Sequence, residues 1–164
     1  MKWINVIIQW IVVIALQILL FNNLQFWGLC QPQIYLLCLI MLPITFPRWA
    51  DMLIGMGLGL FIDVLCNSIG VHMMACILIM YIRHPLIAFL VQEHERLTGE
   101  ISTQTISMDA FIKYTLILVF LHQITISMLS AWTFHHFWLT LLQIIISATI
   151  AEGLILGYNI IRAR

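Results

Sequence analysis

Apolar and polar positions alternate along this chain in blocks rather than singly. Residues 4 to 21 are apolar apart from Asn5, Gln9 and Gln17, which is close to the ~20 residues needed to cross a hydrocarbon core. The uncharged stretch Asn22 to Gln31 follows, with Phe26, Trp27 and Gly28 suited to an interface, and Pro32 closes it. A second apolar block, about 33 to 46, is short. Pro43 and Pro47 lie near its end, so it is expected to be tilted, kinked or only partly spanning. Arg48, Trp49 and Asp51 form a polar knot ahead of a third helix, about 52 to 66. Asn67, Ser68 and Gly70 predict a tight turn into a fourth, about 71 to 91, which contains Pro85. The polar segment 92 to 109 is too short to be a second domain. Helices over about 110 to 131 and 137 to 161, joined through His135 and His136, complete a single transmembrane domain over 1–164.

Composition agrees with that pattern. The 164 residues are 63% hydrophobic and 9% charged, with a mean hydropathy of +1.05, outside the range of soluble domains. The expected fold class is therefore all-α, a polytopic integral membrane protein of six transmembrane helices. The first apolar block is too long for a signal-peptide core, and no Ala-x-Ala-like site follows it.

Seven Lys or Arg balance seven Asp or Glu, so net charge suggests no nucleic-acid partner, but the distribution of charge is one-sided. With six spans and the N-terminus inside, Lys2, Arg48, Arg96, Lys113, Arg162 and Arg164 all fall at inner ends or inner loops. The outer connections hold no Lys or Arg, and Trp27, Trp132 and Trp138 mark the outer boundary as Trp49 marks the inner one. The expectation is a chain in the cytoplasmic membrane with both termini in the cytoplasm.

Charges inside the apolar blocks are the candidate functional residues, because a buried charge is costly without a partner. Asp63 stands near the end of a run whose Gly55 and Gly59, at intervals of four, share its helix face, so a small-residue groove leads to the acid. A rise of 1.5 Å per residue puts it roughly 5 Å below the outer helix end, within reach of Asn67, Ser68 and His72. Three readings stay open: a polar brace between helices three and four, a binding or docking acid for a partner, or a group in proton transfer, for which only scattered titratable groups accompany it. Arg83 and Glu152 come out at similar depth, roughly 20 Å in, and are expected to pair; the alternative is Arg83 snorkelling alone to the headgroups. Gly153 and Gly157 make a GxxxG beside Glu152, a weak signal for close helix approach. His122 and Gln123, near the middle of helix five, read as interhelical hydrogen bonders. Asp109 and Lys113 form a helix-start pair of small value.

The four cysteines have no CxxC spacing, the histidines are scattered, and no Ser-His-Asp order, phosphate loop or HExxH occurs. No cofactor, metal or catalytic residue is expected, which favours a scaffold over an enzyme.

Small size, about six spans, Pro32 after the first helix, Gly59-Leu60 followed by Asp63, Gly70 opening the next helix and the basic Arg83 late in it resemble the MreD family of bacterial rod-shape-determining membrane proteins. That resemblance implies a non-catalytic subunit of the cell-elongation machinery. Its implied partners are MreC, the actin-like MreB and the wall-building glycosyltransferase and transpeptidase. It also implies a fold similar to the S-components of energy-coupling-factor transporters. The rival reading is a small-solute transporter subunit with a pocket at the outer end of helices three and four.

Overall fold

The computed structural model describes residues 2–21, 31–96, 99, 101–130 and 137–162. All regular structure among them is helical: α1 (Lys2–Leu16), continued as a π-helix over Gln17–Phe21, then α2 (Leu36–Ile40), α3 (Arg48–Cys66), α4 (Val71–Leu90), α5 (Glu93–Arg96), α6 (Met108–Ser130) and α7 (Phe137–Arg162). Four of these, α3, α4, α6 and α7, are long and apolar enough to cross a membrane. The all-α membrane character expected from the hydropathy pattern is present. The Trp27, Trp132 and His135-His136 positions lie outside the described residues.

Packing runs in sequence: α3 lies against α4, α4 against α6, and α6 against α7. Between α3 and α4 the fit is close. A β-carbon built on Gly59 would stand 2.5 Å from the Met73 Cα, and one on Gly55 would stand 3.1 Å from the Cys76 carbonyl oxygen. Small residues let two backbones approach in this way, so this groove belongs to the α3–α4 hairpin. Gly153 and Gly157 differ: nothing within 4 Å would meet a β-carbon at either, and the α7 GxxxG packs on no helix of the described chain.

The second apolar block departs most from its expected form. Only Leu36–Ile40 is helical, and residues 32 to 40 are all buried. Irregular backbone is tolerated at membrane depth only where protein satisfies it. Gln17 does so at one end, accepting the Ile34 N–H at 2.7 Å and reaching the Pro32 carbonyl with its amide at 3.3 Å. Beyond α2, where Pro43 has no N–H to extend the helix, side chains from α4 and α6 take over the free carbonyls. The hydrophobic core is centred on this segment, with Tyr35 to Ile40 packed among Ile62, Ile79, Met80, Phe111, Tyr114 and Leu118.

Helix α3 starts at Arg48, earlier than the predicted Met52. Asp51 is therefore a residue of its first turn and fully buried, rather than part of a polar knot outside it.

Candidate functional site

Asp63 lies in the last turn of α3 and is 3% exposed. The turn that follows needs two left-handed residues, Asn67 at φ 56° and Gly70 at φ 74°. Gly70 is the N-cap of α4 and has no side chain to offer the first free N–H groups of that helix. Asp63 supplies what is missing. Its Oδ1 accepts the Ser68 hydroxyl at 2.6 Å and the His72 N–H at 3.0 Å, and its Oδ2 accepts the Met73 N–H at 2.9 Å. A carboxylate on the N2 and N3 amides is the ordinary N-cap arrangement, here donated by the preceding helix and favoured by the α4 dipole. This is the geometry of the bracing alternative.

The cap leads into a buried polar centre. The Tyr35 hydroxyl lies 3.0 Å from His72 Nδ1 and 2.9 Å from His122 Nε2, with both imidazoles edge-on to the phenol ring. One hydroxyl has one proton, so with neutral rings it donates to one histidine and accepts from the other. His122 Nδ1 has no partner among the described residues. If His122 accepted at Nε2, that Nδ1 would be an orphaned N–H, the costlier error in a dry interior. The favoured order is His122 Nε2–H to Tyr35 oxygen, then Tyr35 O–H to His72 Nδ1. Two helices, α4 and α6, and the irregular segment are thereby joined through a single hydroxyl.

The second cluster surrounds Arg83, which is fully buried. Its Nη1 pairs with Asp51 Oδ2, its Nη2 donates to the Leu42 carbonyl, and its Nε donates to the Tyr114 hydroxyl at 3.1 Å. Tyr114 passes its own proton to the Ile40 carbonyl at 3.3 Å. His84 Nε2 stands 3.0 Å from the same Asp51 oxygen. The guanidinium fork thus fills three needs: it neutralises a buried carboxylate, closes the open end of α2 and fixes α6.

The expected Arg83–Glu152 pair does not form. Arg83 is committed to Asp51, while Glu152 Oε1 accepts the Thr115 hydroxyl at 2.5 Å across the α6–α7 contact and Oε2 has no partner among the described residues. Equal depth was a sound requirement but an incomplete one, because α6 stands between α4 and α7 in the packing order. Snorkelling is likewise ruled out by full burial.

Six candidates from the sequence thus fall in three places. Gly55, Gly59, Gly70 and Asp63 build the α3–α4 hairpin, Arg83 builds the cluster at its other end, and Glu152 lies apart on α7. Sequence reasoning missed Asp51, Tyr35 and Tyr114. The depth argument could have found the first: Asp51 precedes Asn67 by 67 − 51 = 16 residues and Arg83 follows Gly70 by 83 − 70 = 13 residues, which places both roughly 20 to 24 Å from the same turn. Among the described residues no three His, Cys, Asp or Glu side chains come together as a metal site.

Two cavities flank these clusters. One of about 340 Å³ borders His72 and Ser68 together with Gln17 and Gln33, at the Gly70 end of the hairpin. The other, of about 540 Å³, lies at the opposite end of the bundle, between α1 and the segment 38 to 46, with the end of α7 at its rim. A family model described as rod shape-determining protein MreD matches residues 1–155. No curated protein and no solved structure matches the chain.

Proposed function

The chain belongs to the MreD family of rod shape-determining proteins, and from this membership together with the polar geometry we propose that it is a non-catalytic membrane scaffold of the bacterial cell-elongation complex. In this reading it organises wall synthesis by holding an MreC-like bitopic protein, and through it MreB and the wall-building glycosyltransferase and transpeptidase, in one assembly. The carrying observation is that Asp63 and Arg83 are spent on joining helices. Asp63 caps α4, and Arg83 ties α3, α4, α6 and the end of α2 together. Such an interior favours a fixed outer shape, which is what a scaffold presents.

The proposal includes six membrane crossings, with α1 and the broken second block counted among them, and both termini in the cytoplasm of a bacterial inner membrane. Its support is the distribution of Lys and Arg. In cells of a rod-shaped host lacking the chain, the account expects rounding, and expects rod shape to return on re-expression; rods that persist without it count against the role.

One observation favours a second reading. The 340 Å³ cavity has polar side chains in its wall, including Gln17, Gln33 and His72, and lies at the Gly70 end of α3 and α4, the end at which a small-solute transporter subunit is expected to have its pocket. Specific retention of a solute by the purified protein, abolished by Gln33→Leu, would support that alternative.

A further inference from the structure

The larger cavity asks for a ligand of a particular kind. Its walls are apolar, formed by Ile7, Ile11 and Ile14 of α1 with Phe46 and Ile54 opposite, and one end is closed by the polar segment 101 to 104 and the end of α7. At that end three strong donors converge on a weak acceptor. Gln9 Nε2 and Arg162 Nη1 each lie 3.8 Å from the Met41 sulfur, and Asn159 Nδ2, which also donates to the Ile155 carbonyl at 3.1 Å, turns toward the same sulfur at 4.0 Å. A thioether satisfies such donors poorly. Asn159 is 2% exposed, and its Oδ1 has no hydrogen-bond partner among the described residues; Thr103 Oγ1, in the same wall, has none either. Arg162 is the only charged side chain among the described lining residues, so no carboxylate opposes an anion there.

We infer that this cavity is a binding site for an anionic phospholipid whose headgroup carries a hydroxyl donor, with an acyl chain along the α1 wall. The phosphate oxygens take the convergent donors of Gln9, Asn159 and Arg162, and the headgroup hydroxyl donates to Asn159 Oδ1. A free phosphate would leave the apolar walls empty, and an apolar molecule would leave the polar end unpaired. The volume lies within the roughly 300–1,000 Å³ of small-molecule sites. The site is independent of the scaffold role; only its assignment to the cytoplasmic leaflet rests on the topology proposed above.

The test is native mass spectrometry of the full chain in mild detergent micelles doped with phosphatidylglycerol or with phosphatidylcholine of the same acyl chains. Phosphatidylglycerol is expected to be retained roughly tenfold more tightly, and deacylated glycerophosphoglycerol in excess is expected not to displace it. Asn159→Leu, which changes no charge, is expected to lower the retention roughly tenfold, where diffuse attraction to basic residues would be unmoved. Arg162→Gln, at an exposed helix end, supplies a second variant that leaves the fold intact. Equal retention of the two lipids, displacement by glycerophosphoglycerol, or wild-type retention in both variants would overturn the inference.

Discussion

The Oδ2 atom of Asp63 accepts the backbone N–H of Met73 at 2.9 Å, so the acid at the end of one helix serves as the cap of the next. The same turn of α4 backbone is what a side chain on Gly59 would strike. Close approach and capping are therefore one device. The glycine brings the two backbones together, and the carboxylate then reaches amides that Gly70 cannot satisfy.

Replacing Asp63 tests that device. Asp63→Ala leaves the His72 and Met73 N–H groups without acceptors and is expected to cost about 2 kcal/mol, with Asp63→Asn losing less because one acceptor oxygen remains. Membrane abundance and thermal unfolding in detergent should fall in that order. An Asp63→Ala protein of normal abundance that no longer holds its bitopic partner would assign the acid to docking instead of bracing.

The Arg83 cluster predicts a pattern of coupling. Arg83→Gln and Asp51→Asn each break a buried pair and are expected to cost about 3–5 kcal/mol. Their double variant should cost far less than the sum, while Arg83→Gln and Glu152→Gln should add, because those two residues share no contact. Glu152→Gln alone should be mild, since an amide oxygen still accepts from Thr115. Strong coupling of Arg83 to Glu152 would contradict the arrangement.

These clusters also show what one-dimensional reading can and cannot reach. The long helices were legible because hydropathy and turn residues such as Asn67 and Gly70 act locally. The face shared by Gly55, Gly59 and Asp63 was legible because it follows from helical periodicity alone. Depth alone offered Arg83 two acids, Asp51 across the α3–α4 turn and Glu152 on α7, and did not reveal that α6 comes between α4 and α7 and leaves Asp51 as the partner. The shortness of α2 was hinted at by Pro43, yet its cause is tertiary: Arg83 and Tyr114 accommodate carbonyls that a continuing helix would have used. Tyr35 gave no signal in an apolar run, because its importance arises only where two distant histidines meet it.

The glycines should divide by what faces them. Gly59→Ala places a methyl group against the Met73 and His72 backbone, which cannot move aside without opening the hairpin, and a loss of about 1–3 kcal/mol is expected. Gly57→Ala meets nothing within 4 Å and should be neutral or slightly stabilising. Equal behaviour of the two in a thermal unfolding series would argue against the close α3–α4 contact.

Topology has its own test. A reporter inserted at Gly99, in the polar segment, is expected to behave as cytoplasmic, as are fusions at both termini. An external signal at Gly99 would reverse the orientation and move the inferred lipid site to the opposite leaflet.

The scaffold role is tested most directly by purifying the tagged wild-type chain from its host membranes in a mild detergent and identifying what remains bound after crosslinking. The account predicts a bitopic shape protein retained in fixed proportion, crosslinked to the helical domain and still present when Asp63→Asn lowers only the amount of folded chain. A chain that purifies without any such partner, while specifically binding a small solute, would contradict it.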